Sequence, residues 1–175
     1  LYDLYRRHGH DQNLFANSIG HSVPKIGNTP QTKGTDFGGE ITSCETFDNK
    51  KQVTMEIAGA YEVPELKSLQ RTLTLHDDEL LIEDQITFSE SGQNIEEAFV
   101  MWTDPVIDHS TATISGERHD VVLTIEEPTG AEWQVEVFEE ESEANKKKGA
   151  LKRLTFSVSV ETTIETKVRA RVVSK

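Results

Sequence analysis

The sequence predicts an all-β fold, an antiparallel two-layer β-sandwich, on three observations. From about residue 38 onward, short runs of β-branched, aliphatic and aromatic residues follow one another with turn residues between them. The last two runs alternate apolar and polar side chains over their length, which gives each strand one apolar face. No window of about fifteen residues carries an apolar stripe at helical spacing, so helix is expected to stay below about one-tenth of the chain.

Residues 1–36 stand apart, being polar and turn-rich with Gly20, Pro24, Gly27 and Pro30, and read as an irregular segment held by the sandwich. Val53, Met55 and Ile57 then alternate with Thr54 and Glu56, so one face of that run points inward. Leu69, Leu73 and Leu75 continue the pattern less strictly through Arg71 and Thr74. Asp77-Asp78 interrupts two apolar runs, and residues 80–88 return as the second strand of a hairpin. Residues 95–102, 121–126 and 133–138 supply further strands. The stretch 139–148 is acidic and then basic, with Lys146, Lys147 and Lys148 at its end. It lacks an apolar face and reads as a solvated loop. In residues 151–160 the set Leu154, Phe156, Val158 and Val160 faces one way, and in residues 163–173 so does the set Ile164, Val168, Ala170 and Val172. No internal repeat or linker divides the chain, so residues 1–175 are expected to form a single domain.

A chain of 175 residues can bury roughly 70% of the surface its unfolded form exposes, enough for a core without disulfides. Cys44 is the single cysteine, so no disulfide forms within the chain, and cysteine usage assigns no compartment. Eighteen Lys and Arg stand against 31 Asp and Glu, a net charge of −13, which argues against a protein that grips nucleic acid nonspecifically. No run reaches the roughly eighteen apolar residues of a membrane-spanning helix. The charge is uneven. Residues 1–36 hold Arg6, Arg7, Lys25 and Lys33 against Asp3, Asp11 and Asp36, together with the histidines His8, His10 and His21. An anionic ligand is therefore tolerated there and repelled elsewhere, and Arg6, Arg7 and Lys25 are its candidate contacts.

Two stretches carry a resemblance. The first is Leu14-Phe15-Ala16-Asn17-Ser18-Ile19-Gly20-His21-Ser22-Val23-Pro24, followed by Ile26, Gly27, Asn28 and Gln31. The second is Ala60-Tyr61, then Arg71, then Ile82-Glu83-Asp84 before Phe88. Together they resemble the signature of heparinase II/III-like proteins, and they match the first half of that family's C-terminal β domain. The later strands agree in pattern alone.

The resemblance implies a polysaccharide lyase in which a helical α/α-toroid precedes the β domain and an acidic sugar chain lies between the two. Such enzymes cleave uronic-acid polysaccharides by β-elimination. The C5 proton of a hexuronate is hard to remove beside an ionised carboxylate, so the reaction needs a neutraliser for that carboxylate, a base, and an acid for the leaving oxygen. Several of these groups sit on the toroid in similar enzymes, so the chain by itself is expected to be inactive. His21 matches a position that ligates metal, usually zinc, alongside an upstream His and Asp. His8, His10 and Asp11 do not match the spacing of those upstream ligands. The expectation is no cofactor in the chain itself and zinc in the intact enzyme. Tyr5, with Tyr2 behind it, is the nearest match to the family's catalytic tyrosine.

Each of these residues also has a structural reading. The His21 ring could hydrogen-bond to backbone in the turn before Pro24, and Tyr5 could dock a loose terminal segment. Arg71 is expected to pair with Glu83 or Asp84, His76 and His119 to lie at the surface, and Trp102 and Trp133 to belong to the core. A non-catalytic carbohydrate-binding or structural β-sandwich is the competing function.

Overall fold

The computed structural model describes residues 13–175. The described chain folds as two antiparallel sheets. The smaller sheet has the order β1 (Lys25–Ile26), β6 (Gln93–Met101), β11 (Leu151–Val160) and β10 (Gln134–Phe138). The larger runs β2 (Glu40–Thr46), β3 (Lys51–Glu56), β4 (Leu66–His76), β5 (Glu79–Phe88), β12 (Thr163–Ser174), β9 (His119–Glu127), β8 (Thr111–Ser115) and β7 (Pro105–Asp108). The predicted sandwich is therefore present, and the helix of all kinds among the described residues amounts to 7%, below the expected tenth.

The expected hairpin closes on a two-residue turn. His76 pairs with Glu79, and Asp77 takes a positive φ of 48°, a conformation that a short carboxylate side chain tolerates. The same register runs back to Arg71 opposite Asp84.

Alternation aims one side of each sheet at the other, and the core forms between them in two clusters. One gathers Leu69, Ile86, Ile95, Phe88, Val160 and Tyr61; the other gathers Leu123, Ile125, Trp133, Leu154, Phe156 and Val168. Between the clusters the inward positions turn polar on four strands at once: Arg71 on β4, Asp84 on β5, Thr166 on β12 and Glu97 on β6, all buried. The larger sheet extends past the smaller one, leaving an apolar crevice of about 470 Å³ whose walls include Met55, Leu73, Leu80 and Phe99. Ser22, Val23 and Gln31 also line it.

Two expectations need correction. The stretch read as a solvated loop contains a short helix, α1 (Glu139–Ala144). Three glutamates sit in its first turn, where the helix dipole favours negative charge. Its one buried residue is Ser142, which donates to the Phe138 carbonyl at 2.5 Å and accepts from the Leu151 N–H at 3.0 Å. Anchorage by one hydroxyl replaces the apolar face whose absence suggested a loop. Trp102 is not a core residue: it is 47% exposed, whereas Trp133 is buried as expected. Ile95, Glu97, Phe99 and Met101 take the inward positions of β6, so Trp102, one step beyond, falls on the outward side. His76 and His119 lie at the surface as expected.

Candidate functional site

The segment that follows residue 13 is locally compact. Asn17 caps a 3-10 turn at Ser18–Gly20, its side-chain oxygen accepting the Ile19 N–H at 3.0 Å. Gly20 passes so close to Leu14 that an added Cβ would stand 2.2 Å from the Leu14 carbonyl oxygen, so only glycine fits there. Leu14 is buried and anchors the segment. Further on, Ser18 Oγ accepts the Gln31 N–H at 2.8 Å, and Ser22 Oγ accepts the Val100 N–H of β6 at 3.0 Å. The loop is thereby tied to itself and to the edge of the smaller sheet.

From beneath, the second sequence stretch holds the first. Tyr61 donates its hydroxyl to the Pro24 carbonyl at 2.7 Å and is itself hydrogen-bonded to the Gln31 side chain. Arg71 donates from Nη1 to the Ser22 carbonyl at 3.2 Å. Its Nε donates to Asp84 Oδ1 at 2.8 Å and its Nη2 to both Asp84 Oδ2 and, at 3.0 Å, Glu97 Oε2. Thr166 completes the group by donating to Glu97 Oε1 at 3.0 Å. Burial works against the Arg71 charge, but the hydrogen bond and charge of Asp84 outweigh it and hold the guanidinium protonated. Burial likewise keeps the Tyr61 hydroxyl protonated as a donor. For Glu97, burial and then the charge of Asp84 push the carboxyl up to about 8. The expected partner of Arg71 is thus Asp84, not Glu83, which lies on the opposite face of β5.

Above this support lies an open cleft of about 480 Å³, lined by Ala16, Asn17, Ser18, His21, Pro30, Gln31, Thr32 and Lys33. His21 is exposed. Its hydrogen bonds are those of the main chain, N–H to the Ser18 carbonyl at 3.1 Å and carbonyl from the Val23 N–H at 3.0 Å. The backbone contact expected of the ring is made by the backbone of His21 instead. Lys25 pairs with Glu96 at 3.0 Å across the β1–β6 register, and Glu96 also binds buried Arg153. Tyr2, Tyr5, Arg6, Arg7, His8, His10 and Asp11 lie outside the described residues. Among the described residues no group of three or more His, Cys, Asp or Glu side chains could hold a metal, so these residues alone do not make a zinc site around His21.

The contact between the two sequence stretches escaped sequence reasoning, and so did Glu97. A signal existed for Glu97: a carboxylate at the inward step between Ile95 and Phe99 calls for a buried partner.

No family model matches the sequence, and no curated protein matches it. Solved structures do. The heparan sulfate lyase HepC from Pedobacter heparinus superposes with a TM-score of 0.75 at 13% identity, over 94% of this chain and 26% of that one. A heparinase III with methylated lysines gives 0.74 at 13% identity over 94% and 25%, and a further heparinase III structure 0.68 at 11% over 92% and 24%. The chain thus has the fold of a β domain found in these lyases and spans about a quarter of their length.

Proposed function

We propose that this chain is the β-sandwich domain of a polysaccharide lyase, and that its cleft at residues 16–33 forms one wall of a groove for a uronic-acid polysaccharide cleaved by β-elimination. One observation carries the reading. The loop that bears the resemblance to heparinase II/III-like proteins lines an open cleft, on a fold that heparan sulfate lyases share. The described cleft offers an exposed imidazole, two amides and an ammonium, groups suited to holding a carboxylate.

In this reading Tyr5 exchanges a proton with the sugar and Arg6 and Arg7 contact its anionic groups, while Lys25, paired with Glu96 and outside the described lining of the cleft, would have to leave that pair to do the same. A preceding α/α-toroid supplies the remaining catalytic groups. His21 contributes one ligand where zinc is bound in the intact enzyme, the other ligands coming from outside the described residues. The chain by itself is expected to retain no stoichiometric zinc after dialysis.

A non-catalytic binding module is favoured by one feature, namely that Tyr61 and Arg71, the latter held by Asp84, are committed to supporting the loop, so that the described residues lining the cleft include no carboxylate or tyrosine. The ultraviolet absorbance of the unsaturated uronate product separates the two readings. Purified chain is expected to give none from heparan sulfate, alginate or hyaluronan. The longest natural polypeptide that contains the chain is expected to give product, slowed roughly 10²-fold or more by His21→Ala. No product from that polypeptide, or an unchanged rate in the variant, favours the binding module.

A further inference from the structure

We propose that the stacked pair of Phe15 and Trp102, with the lysines that follow α1, is a stacking subsite for an acidic saccharide, adjoining the cleft. The proposal rests on the polysaccharide reading above and names a part of the surface that reading does not use. Trp102 stands at the end of β6 on the outward side of the smaller sheet, 47% exposed. Ile41, Val106 and Val137 are more exposed still, so it is the ring stacked on Trp102, not its exposure, that sets the position apart. Phe15 stacks flat against it, with centroids 6.0 Å apart and planes within 4°. The ammonium of Lys147 lies 4.8 Å from the Phe15 centroid, so cation, phenyl and indole form one assembly.

The assembly is held in place before any ligand arrives. Phe15 N–H donates to Asn13 Oδ1 at 3.0 Å, and the Asn13 amide donates to Asn145 Oδ1 at 3.1 Å. Asn145 in turn donates to the Glu141 carbonyl at 2.7 Å, which joins the loop to α1. The Trp102 carbonyl accepts from Lys152 Nζ at 3.0 Å. Three segments remote in sequence thus hold the main chain that carries the two stacked rings, which lowers the ordering cost of binding. A rigid, exposed indole suits the C–H face of a pyranose, since it presents a broad apolar surface with a polar N–H at its rim.

Charge selects the kind of sugar. Lys146, Lys147 and Lys148 are exposed and form the chain's single run of three cationic residues, in a protein of net charge −13. The Lys147 ammonium, seated over the Phe15 ring, attracts a carboxylate or sulfate beside the stacked sugar, whereas Glu139, Glu140 and Glu141 of α1 repel one placed toward the helix. Phe15 is followed directly by Ala16, which lines the cleft, so one extended chain could run from the stack into it.

The full chain is titrated with a heparan sulfate hexasaccharide and, in parallel, with maltohexaose, by calorimetry and by tryptophan fluorescence. Trp102 and Trp133 are the two tryptophans, and Trp133 is buried, so a change in emission reports on Trp102. The acidic sugar is expected to bind and alter the emission, and Trp102→Ala to weaken binding at least about tenfold without altering the circular dichroism spectrum. Replacing the three lysines by glutamine is expected to weaken binding and flatten its salt dependence. Equal binding of maltohexaose overturns the acidic specificity. Hexasaccharide binding that survives Trp102→Ala but is weakened by His21→Ala overturns the subsite and leaves the lyase reading standing. Absence of any binding overturns the subsite.

Discussion

Arg71 carries one positive charge into a buried group that also contains Asp84 and Glu97, so full ionisation would leave an uncompensated negative charge between the sheets. Glu97 resolves this by keeping its proton, its carboxyl pushed from the ordinary 4.5 up to about 8 by burial and by Asp84. Between those two values the folded state holds a proton that the unfolded chain has released, so stability falls as pH rises from about 4.5 to 8, by at most roughly 1.4 kcal/mol per pH unit. Glu97→Gln keeps an acceptor for Thr166 and a donor toward Asp84, gives up the acceptor for Arg71 Nη2, and cannot titrate. Urea unfolding at a series of pH values is expected to show the native protein losing stability relative to this variant across that window. Parallel curves would mean that Glu97 is already ionised when folded. The pairing of Arg71 was partly legible in the sequence. Asp77-Asp78 marks the turn, and a two-residue turn there puts residue 71 opposite residue 84 on the same face, while Glu83 points the other way. Glu97 was hidden because its partners come from another sheet.

At the scale of elements, the loop of residues 14–31 is an outer layer fixed by side chains from a strand and a turn that follow it in sequence. The two stretches were visible as separate patterns. Nothing in a one-dimensional pattern says that Tyr61 reaches Pro24 or that Arg71 reaches Ser22, since those contacts depend on where β4 and β6 pass in space. Tyr61→Phe removes the hydroxyl and leaves the Pro24 carbonyl and the Gln31 amide without their partner, at a cost of about 1–3 kcal/mol. Hydrogen exchange is the suitable readout. Amide protection at residues 18–31 is expected to drop further than protection in β11 and β12. A uniform loss across the sandwich would show that the tyrosine supports the whole core and not the loop. The helix α1 escaped notice for a related reason, because Ser142 anchors it through two hydrogen bonds and a serine leaves no apolar signature.

For the whole molecule, the all-β class was legible because alternation reports which faces are buried. Strand order was not, because β12 inserts between β5 and β9 and so pairs segments far apart in sequence. The unequal sheets produce a distinct polarity. The outward side of the larger sheet carries a lattice of ion pairs such as Lys167 with Glu83 and Arg169 with Glu126, whereas the signature loop and the exposed indole lie against the smaller sheet. The central claim is that acidic polysaccharide meets this molecule at the loop cleft, and backbone NMR shift mapping with a heparan sulfate hexasaccharide tests it most directly. The account predicts perturbations concentrated at Asn17, Ser18, His21, Gln31 and Thr32 and extending to Phe15 and Trp102 where the stacking subsite is engaged, with β12 and β5 unaffected; perturbations centred on Lys167, Arg169 and Arg171, or none anywhere at saturating sugar, would contradict it.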